Sequence, residues 1–155
     1  MSSEESIITQ FYTAFAKKDF ATMQAFYYDE ATFSDEVFQN LSGKQAGKMW
    51  EMLLKSGKDL SLEFSDVRLG HTKVHAKWIA TYTFSLTGRK VVNHIRAEFQ
   101  IIDGKIMYHR DRFQFHAWAR QAFGGKGFLF GGFSFFKNKV RDQARRNLER
   151  FISQG

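Results

Sequence analysis

The chain has 155 residues, 43% hydrophobic and 25% charged, with a net charge of +7 and no cysteine. That is a single-domain length with enough chain to bury a core, and the composition is globular rather than disordered. Disulfides and thiolate metal sites are excluded; the acidic opening MSSEESIITQ is unlike a signal peptide and no apolar run is long enough to span a bilayer, so a cytoplasmic protein is expected.

Ser2 and Glu5 have capping-box spacing. Behind them Ile7, Ile8, Phe11, Tyr12 and Phe15 recur at helical spacing up to Lys18. Asp19 suits the N-cap of a second, short helix holding Phe20, Met23 and Phe26. The segment Ala31–Asp35 reads as a short strand. Ser42 and Gln45 repeat the capping-box signature ahead of a helix with Met49, Trp50, Leu53 and Leu54, and Gly57 is its expected stop.

From Leu60 the apolar period changes from near 3.6 to 2. Leu60, Leu62 and Phe64 alternate, as do Val74, Ala76, Trp78, Ala80, Tyr82 and Phe84; a third run covers Lys90–Ile102. Leu69-Gly70-His71-Thr72, Thr87-Gly88-Arg89 and Asp103-Gly104 supply turns. The fourth strand, within Gly104–Phe115, places Met107, His109, Asp111, Phe113 and Phe115 on one face and Ile106, Tyr108, Arg110, Arg112 and Gln114 on the other. Then follow a short helix over Ala117–Phe123, a Gly/Phe loop over Gly124–Phe136 and a last helix over Lys137–Ile152. Helices followed by antiparallel strands joined by tight turns predict an α+β layout with helices on one sheet face.

Charge is unevenly placed. From Arg120 onward eight basic side chains meet only Asp142 and Glu149, so this region carries +6 of the chain's +7. In the last helix Val140, Ala144, Leu148, Phe151 and Ile152 form an apolar stripe beside Lys137, Lys139, Arg141, Arg145, Arg146 and Arg150. Preceded by Phe128, Leu129, Phe130, Phe133, Phe135 and Phe136, it reads either as an interfacial element on an anionic membrane or as a helix docked on the body or a dimer partner with its charges solvated. Docking is the favoured reading. No recognition motif supports nucleic-acid binding.

The element order, with the wording Gln10–Asp35 and Phe99–Trp118, resembles the SnoaL-like branch of the nuclear-transport-factor-2-like superfamily. The resemblance covers roughly residues 5–122. It implies a cystatin-like cone, a curved antiparallel sheet wrapped around the N-terminal helices, with residues 1–123 forming the cone and 124–155 an extension. Relatives include ketosteroid isomerases, polyketide cyclases, limonene epoxide hydrolases and non-catalytic binding modules, and many dimerise.

The segment FAKKDFATMQAFYYDEATFSD is similar to the isomerase stretch ending in the general-base aspartate, here Asp35. That enzyme pairs its base with a tyrosine and a protonated aspartate, whose positions fall on Phe11 and near Ala97. Along FQIIDGKIMYHRDRFQF the epoxide hydrolases' second aspartate matches Asp111. Their water-holding tyrosine and asparagine match Phe33 and Asp35, and their Arg–Asp pair falls near Trp78 and Ala80. A pocket acid of the cyclase kind would also be Asp111.

Asp111 and His109, two positions apart on one strand face, can share a proton with each other or with a ligand. The plainer alternative is a buried Asp111 held by Arg96, Arg110 or Arg112. Asp35 could face Asp111 across the cone mouth, or simply begin an exposed Asp35-Glu36 loop. Asn93 is a further polar candidate. Tyr12, Phe15, Phe33, Trp50, Trp78, Ile95, Phe113 and Trp118 either line an apolar cavity or fill the core. The dispersed histidines argue against a zinc site, and no Walker-type loop occurs; neither a metal nor a cofactor is expected. The function expected is binding of a small hydrophobic or aromatic molecule in the cone. Acid–base chemistry at Asp111, with His109 as its partner and Asp35 as a second contact, is set against a non-catalytic ligand-binding or protein-interaction module whose basic tail contacts an anionic membrane.

Overall fold

A computed structural model describes all 155 residues. Both capping boxes form. The Ser2 hydroxyl accepts the Glu5 N–H at 3.0 Å while Glu5 accepts the Ser2 N–H at 2.7 Å, opening helix α1 (Ser3–Ala16). Ser42 and Gln45 do the same at 3.1 and 2.9 Å for α3 (Gly43–Ser56). Between them Asp19 caps α2 (Phe20–Ala25) through the Thr22 N–H. Each bond satisfies an amide that the first helical turn would otherwise leave unpaired.

The strands are β1 (Tyr27–Ser34), β2 (Leu41–Ser42), β3 (Ser61–Leu69), β4 (Val74–Phe84), β5 (Arg89–Ile102) and β6 (Lys105–Arg112). They form one curved, unclosed sheet in the order β2-β1-β6-β5-β4-β3. Every neighbouring pair is antiparallel except β1 and β6, which run parallel, so β1 arrives between α2 and α3 and is inserted beside the last strand. β1 is longer than the expected Ala31–Asp35, and β2 escapes sequence reading because two residues carry no period. The β5–β6 hairpin turns on Asp103 (φ 48°) and Gly104 (φ 82°), the left-handed pair that matches strand twist in a two-residue loop.

Alternation holds along β4 and β5, where Val74, Ala76, Trp78 and Ala80 and then Val91, Asn93, Ile95, Ala97 and Phe99 point inward. On β6 it holds only from His109 onward. A bulge lies between the pairs Gln100–Tyr108 and Ile101–Ile106, and the extra residue moves Ile106 to the inner face, where it is fully buried, and leaves Met107 half-buried. The expected side assignment of Ile106 and Met107 is thereby reversed.

Helix α1 covers the inner face with Ile8, Phe11, Tyr12 and Phe15, and α3 adds Met49, Trp50 and Leu54. A second, smaller core joins Val91 to Phe115, Trp118, Ala119 and Ala122 of α4 (Phe115–Phe123). α4 takes over where β6 stops: the Gln121 carboxamide accepts the Val92 N–H at 2.7 Å and donates to the Val92 carbonyl at 3.0 Å.

The expected Gly/Phe loop contains a helix, α5 (Gly125–Phe130). Its glycines looked like loop formers, but Gly127 serves close approach, since a Cβ there would collide with the Ala119 carbonyl. The last helix, α6 (Ser134–Ser153), lies on the body. Leu148 is 2% exposed in the main core, Ala144 packs beside it, and Phe136 and Val140 meet the second core. Lys137 pairs with the Glu36 carboxylate at 3.0 Å and Arg141 donates to the Glu36 carbonyl at 2.9 Å. No helix is long and apolar enough to cross a membrane.

Candidate functional site

Three polar or charged residues are buried in the whole chain: Asn93, His109 and Asp111. All three point from β5 and β6 into the apolar interior, and burying such groups is costly unless they are paired. Asp111 takes His109 as its partner, with Nε2 2.9 Å from Oδ1, and not an arginine. Arg112 turns outward to Glu98.

The chain of bonds continues. His109 Nδ1 lies 2.7 Å from the Tyr27 hydroxyl, and Trp50 Nε1 donates to that same oxygen at 3.0 Å. Indole is a donor only, so the Tyr27 oxygen accepts from Trp50 and its proton is free for His109 Nδ1. Nε2–H then donates to Asp111. A neutral imidazole in this tautomer satisfies every member from α3 through β1 to β6. Phe11, Phe33, Trp50 and Phe99 surround the imidazole with ring centroids 4.0–6.3 Å away.

Asp35 follows β1. Its Oδ1 accepts the N–H groups of Val37 and Phe38 at 2.7 and 2.6 Å, so the next residues fold back over it. Desolvation nevertheless dominates and pushes the Asp35 carboxyl up to about 7, against the lowering effect of those two bonds; Asp111 and Glu36 add smaller upward contributions. Asp35 and Asp111 therefore lie within each other's electrostatic field. The Tyr12 hydroxyl is raised well above its usual range by burial first, then by Asp111 and Tyr27. Tyr82, which accepts the Trp118 indole N–H at 2.8 Å, is raised by burial and, to a smaller degree, by Asp35.

Three buried side-chain atoms find no hydrogen-bond partner: the Tyr12 hydroxyl, Trp78 Nε1 and Arg110 Nε; the first two belong to the interior core. Their rings are neighbours, with centroids 6.2 Å apart. Such orphans cost about 1–3 kcal/mol each and call for a specific explanation.

Phe15, Phe33, Trp50, Trp78 and Ile95 lie in the same core as Tyr12. Phe113 bridges the two cores, and Trp118 belongs to the second. An open groove of about 750 Å³ runs along the sheet, where Trp78, Asn93, Ile95 and Phe113 line it together with Lys77, His94, Arg96, Arg112 and Gln121. The buried carboxyl, imidazole and orphan donors make up the candidate site, which shares Trp78 and Asn93 with the groove.

A family model described as a SnoaL-like domain matches residues 8–109. The chain belongs to the SnoaL-like domain family. Among solved structures, this SnoaL-like chain is similar in fold to AclR of Streptomyces galilaeus, a candidate hydroxylase (21% identity over 72% of this chain and 88% of the other, TM-score 0.61). It is also similar to an LEH-like epoxide hydrolase of Mycobacterium tuberculosis (18%, 83% and 91%, TM-score 0.61). A third is a candidate polyketide cyclase of Xanthomonas campestris (17%, 78% and 99%, TM-score 0.64). At these identities the likeness concerns fold. No curated protein matches the sequence.

Two polar members of this SnoaL-like site escaped sequence reading. Tyr82 was visible in the β4 alternation but counted as apolar. Tyr27 lies outside the expected strand Ala31–Asp35, because β1 begins four residues earlier and has an irregular register between Tyr27 and Thr32. That irregularity leaves Asp29 exposed where strict alternation from Phe33 would bury it.

Proposed function

We propose that this SnoaL-like domain binds a small apolar molecule carrying an oxygen acceptor and carries out acid–base chemistry on it. The observation that carries the reading is Asp35, a carboxyl titrating near 7 in the field of a second, buried carboxylate. A group of that strength is half protonated at neutral pH and both gives and takes protons readily. Asp111 is the second acid–base group: His109 engages Oδ1, leaving Oδ2 for a ligand. The orphan donors of Tyr12 and Trp78 supply hydrogen bonds to the ligand oxygen. Phe15, Phe33, Trp50, Ile95, Phe113 and Trp118 offer apolar contact, and Asn93 a further polar one.

The competing reading is a binding module with no turnover. Titrating the protein with a panel of cyclic ketones, epoxides and aromatic lactones, read by tryptophan fluorescence and product analysis, separates them. The enzyme reading expects turnover that Asp35→Asn abolishes while binding persists, and Tyr12→Phe weakens binding. Binding without turnover in the wild type leaves only the module, and no binding across the panel, with no co-purifying ligand in native mass spectra, refutes both. We further propose a homodimer formed through the outer sheet face, in a cytoplasmic setting; a clean monomer in ultracentrifugation at high micromolar concentration overturns the dimer.

A further inference from the structure

Docking of α6 covers its apolar stripe but leaves a cluster in front of it uncovered. Phe128, Leu129, Phe130, Phe133 and Phe135 are 60, 63, 41, 54 and 58% exposed. Phe130, Phe133 and Phe135 form one cluster, with ring centroids 5.8–6.4 Å apart, and Phe128 and Leu129 precede it on the same short helix, α5. At about 200 Å² for a large apolar side chain, they present on the order of 500 Å², near the upper end of what single-chain proteins expose.

The charges around this cluster have one dominant sign. Lys139, Arg146 and Arg150 follow Phe135 by 4, 11 and 15 residues and so return to its side of the helix, away from Leu148. All three are exposed, as are Lys126 and Arg145, whereas Lys137 and Arg141 are committed to Glu36. Only Asp142 and Glu149 oppose them on α6, and Asp142 already lies 3.8 Å from Arg145. A second copy meeting this surface face to face would set like charge against like. An anionic lipid surface accepts both features: aromatic rings enter the headgroup–acyl boundary while Lys and Arg stay among the headgroups.

We propose that the α5–α6 corner is a peripheral docking surface for anionic membranes, with Phe128, Leu129, Phe130, Phe133 and Phe135 inserted and Lys139, Arg146 and Arg150 on the headgroups. The inference does not depend on the chemistry of the interior site, because none of these residues contributes to it.

Vesicle flotation of the full chain tests it, using phosphatidylcholine alone and an equimolar mixture with phosphatidylglycerol. The protein is expected to float with the mixed vesicles at low salt and to be released near 1 M salt, where the screening length falls to about 3 Å. Each basic side chain at the surface is worth roughly fivefold in partition, so Lys139→Glu with Arg146→Glu should lower it at least about tenfold. Phe133→Ser with Phe135→Ser should abolish flotation while leaving the near-ultraviolet dichroism of the folded body intact. No flotation at low salt, equal flotation on phosphatidylcholine alone, or undiminished flotation of the serine variant overturns the proposal. A sedimenting mass that doubles in the wild type and not in the serine variant, without vesicle binding, assigns the cluster to a second copy instead.

Discussion

Replacing Asp35 by Asn should stabilise the protein, and only above acidic pH. The wild-type carboxyl titrates at about 7 when folded against 3.8 for an unhindered aspartate. Below the lower value it is protonated in both states and costs nothing. Between the two, the unfolded chain loses the proton first, so stability falls as pH rises; above about 7 the loss is complete and constant. At 1.36 kcal/mol per unit the full effect is about 4 kcal/mol. Asp35 is half-buried rather than sealed from water, which makes that figure a ceiling. The asparagine oxygen can still accept the Val37 and Phe38 amides, so the local turn is kept. In a chain of this size 1 kcal/mol moves the melting point by about 2–4 °C. The variant should therefore melt several degrees above wild type near pH 8 and level with it near pH 4. Calorimetry of both proteins across that range decides the matter. Acid-labile carboxylates such as Glu51, held down first by its bond to Lys55, affect both proteins alike and cancel in the difference. A gain that is the same at every pH, or no gain at alkaline pH, refutes the reasoning.

Tyr27→Phe removes the link between Trp50 and His109 and strands one buried group on each side; urea unfolding should show a loss of about 2–4 kcal/mol with an unchanged slope. Ser42→Ala breaks the cap on the helix that carries Trp50 and should cost about 1 kcal/mol by the same measurement. Leu148→Ala should cost about 2–5 kcal/mol, because α6 seats this residue in the main core; a loss near zero would mean that the helix is not docked in solution.

What could be read from the sequence was local. Both capping boxes, the Asp19 cap and the Asp103-Gly104 turn are decided within four residues, and all four form. The buried pair His109–Asp111 was legible because two positions on a strand return to the same face. Glycine misled where it served contact: the spacing around Gly127 gives no sign that it meets Ala119 of a neighbouring helix. The parallel partnership of β1 with β6 was not legible either, since it depends on how the whole sheet is ordered. Asp35 was picked out by family resemblance, but its environment depends on residues 36–40 folding back and on Glu36 being gripped by α6. No local pattern encodes that.

The bond between Tyr27 and His109 joins positions 82 residues apart, and this has a consequence for how the protein is made. As the chain leaves the ribosome, α1, α2, β1 and α3 emerge long before β6 exists. β1 is then an edge without its neighbour, and Trp50 and Tyr27 have no imidazole to meet. Local helices and the β3–β4–β5 meander can form first, and closing so long a loop comes at the expense of chain entropy that only later contacts recover. The pairing of β1 with β6 therefore waits until the chain through Arg112 has been made, and until then β1 offers an unpaired edge to other chains.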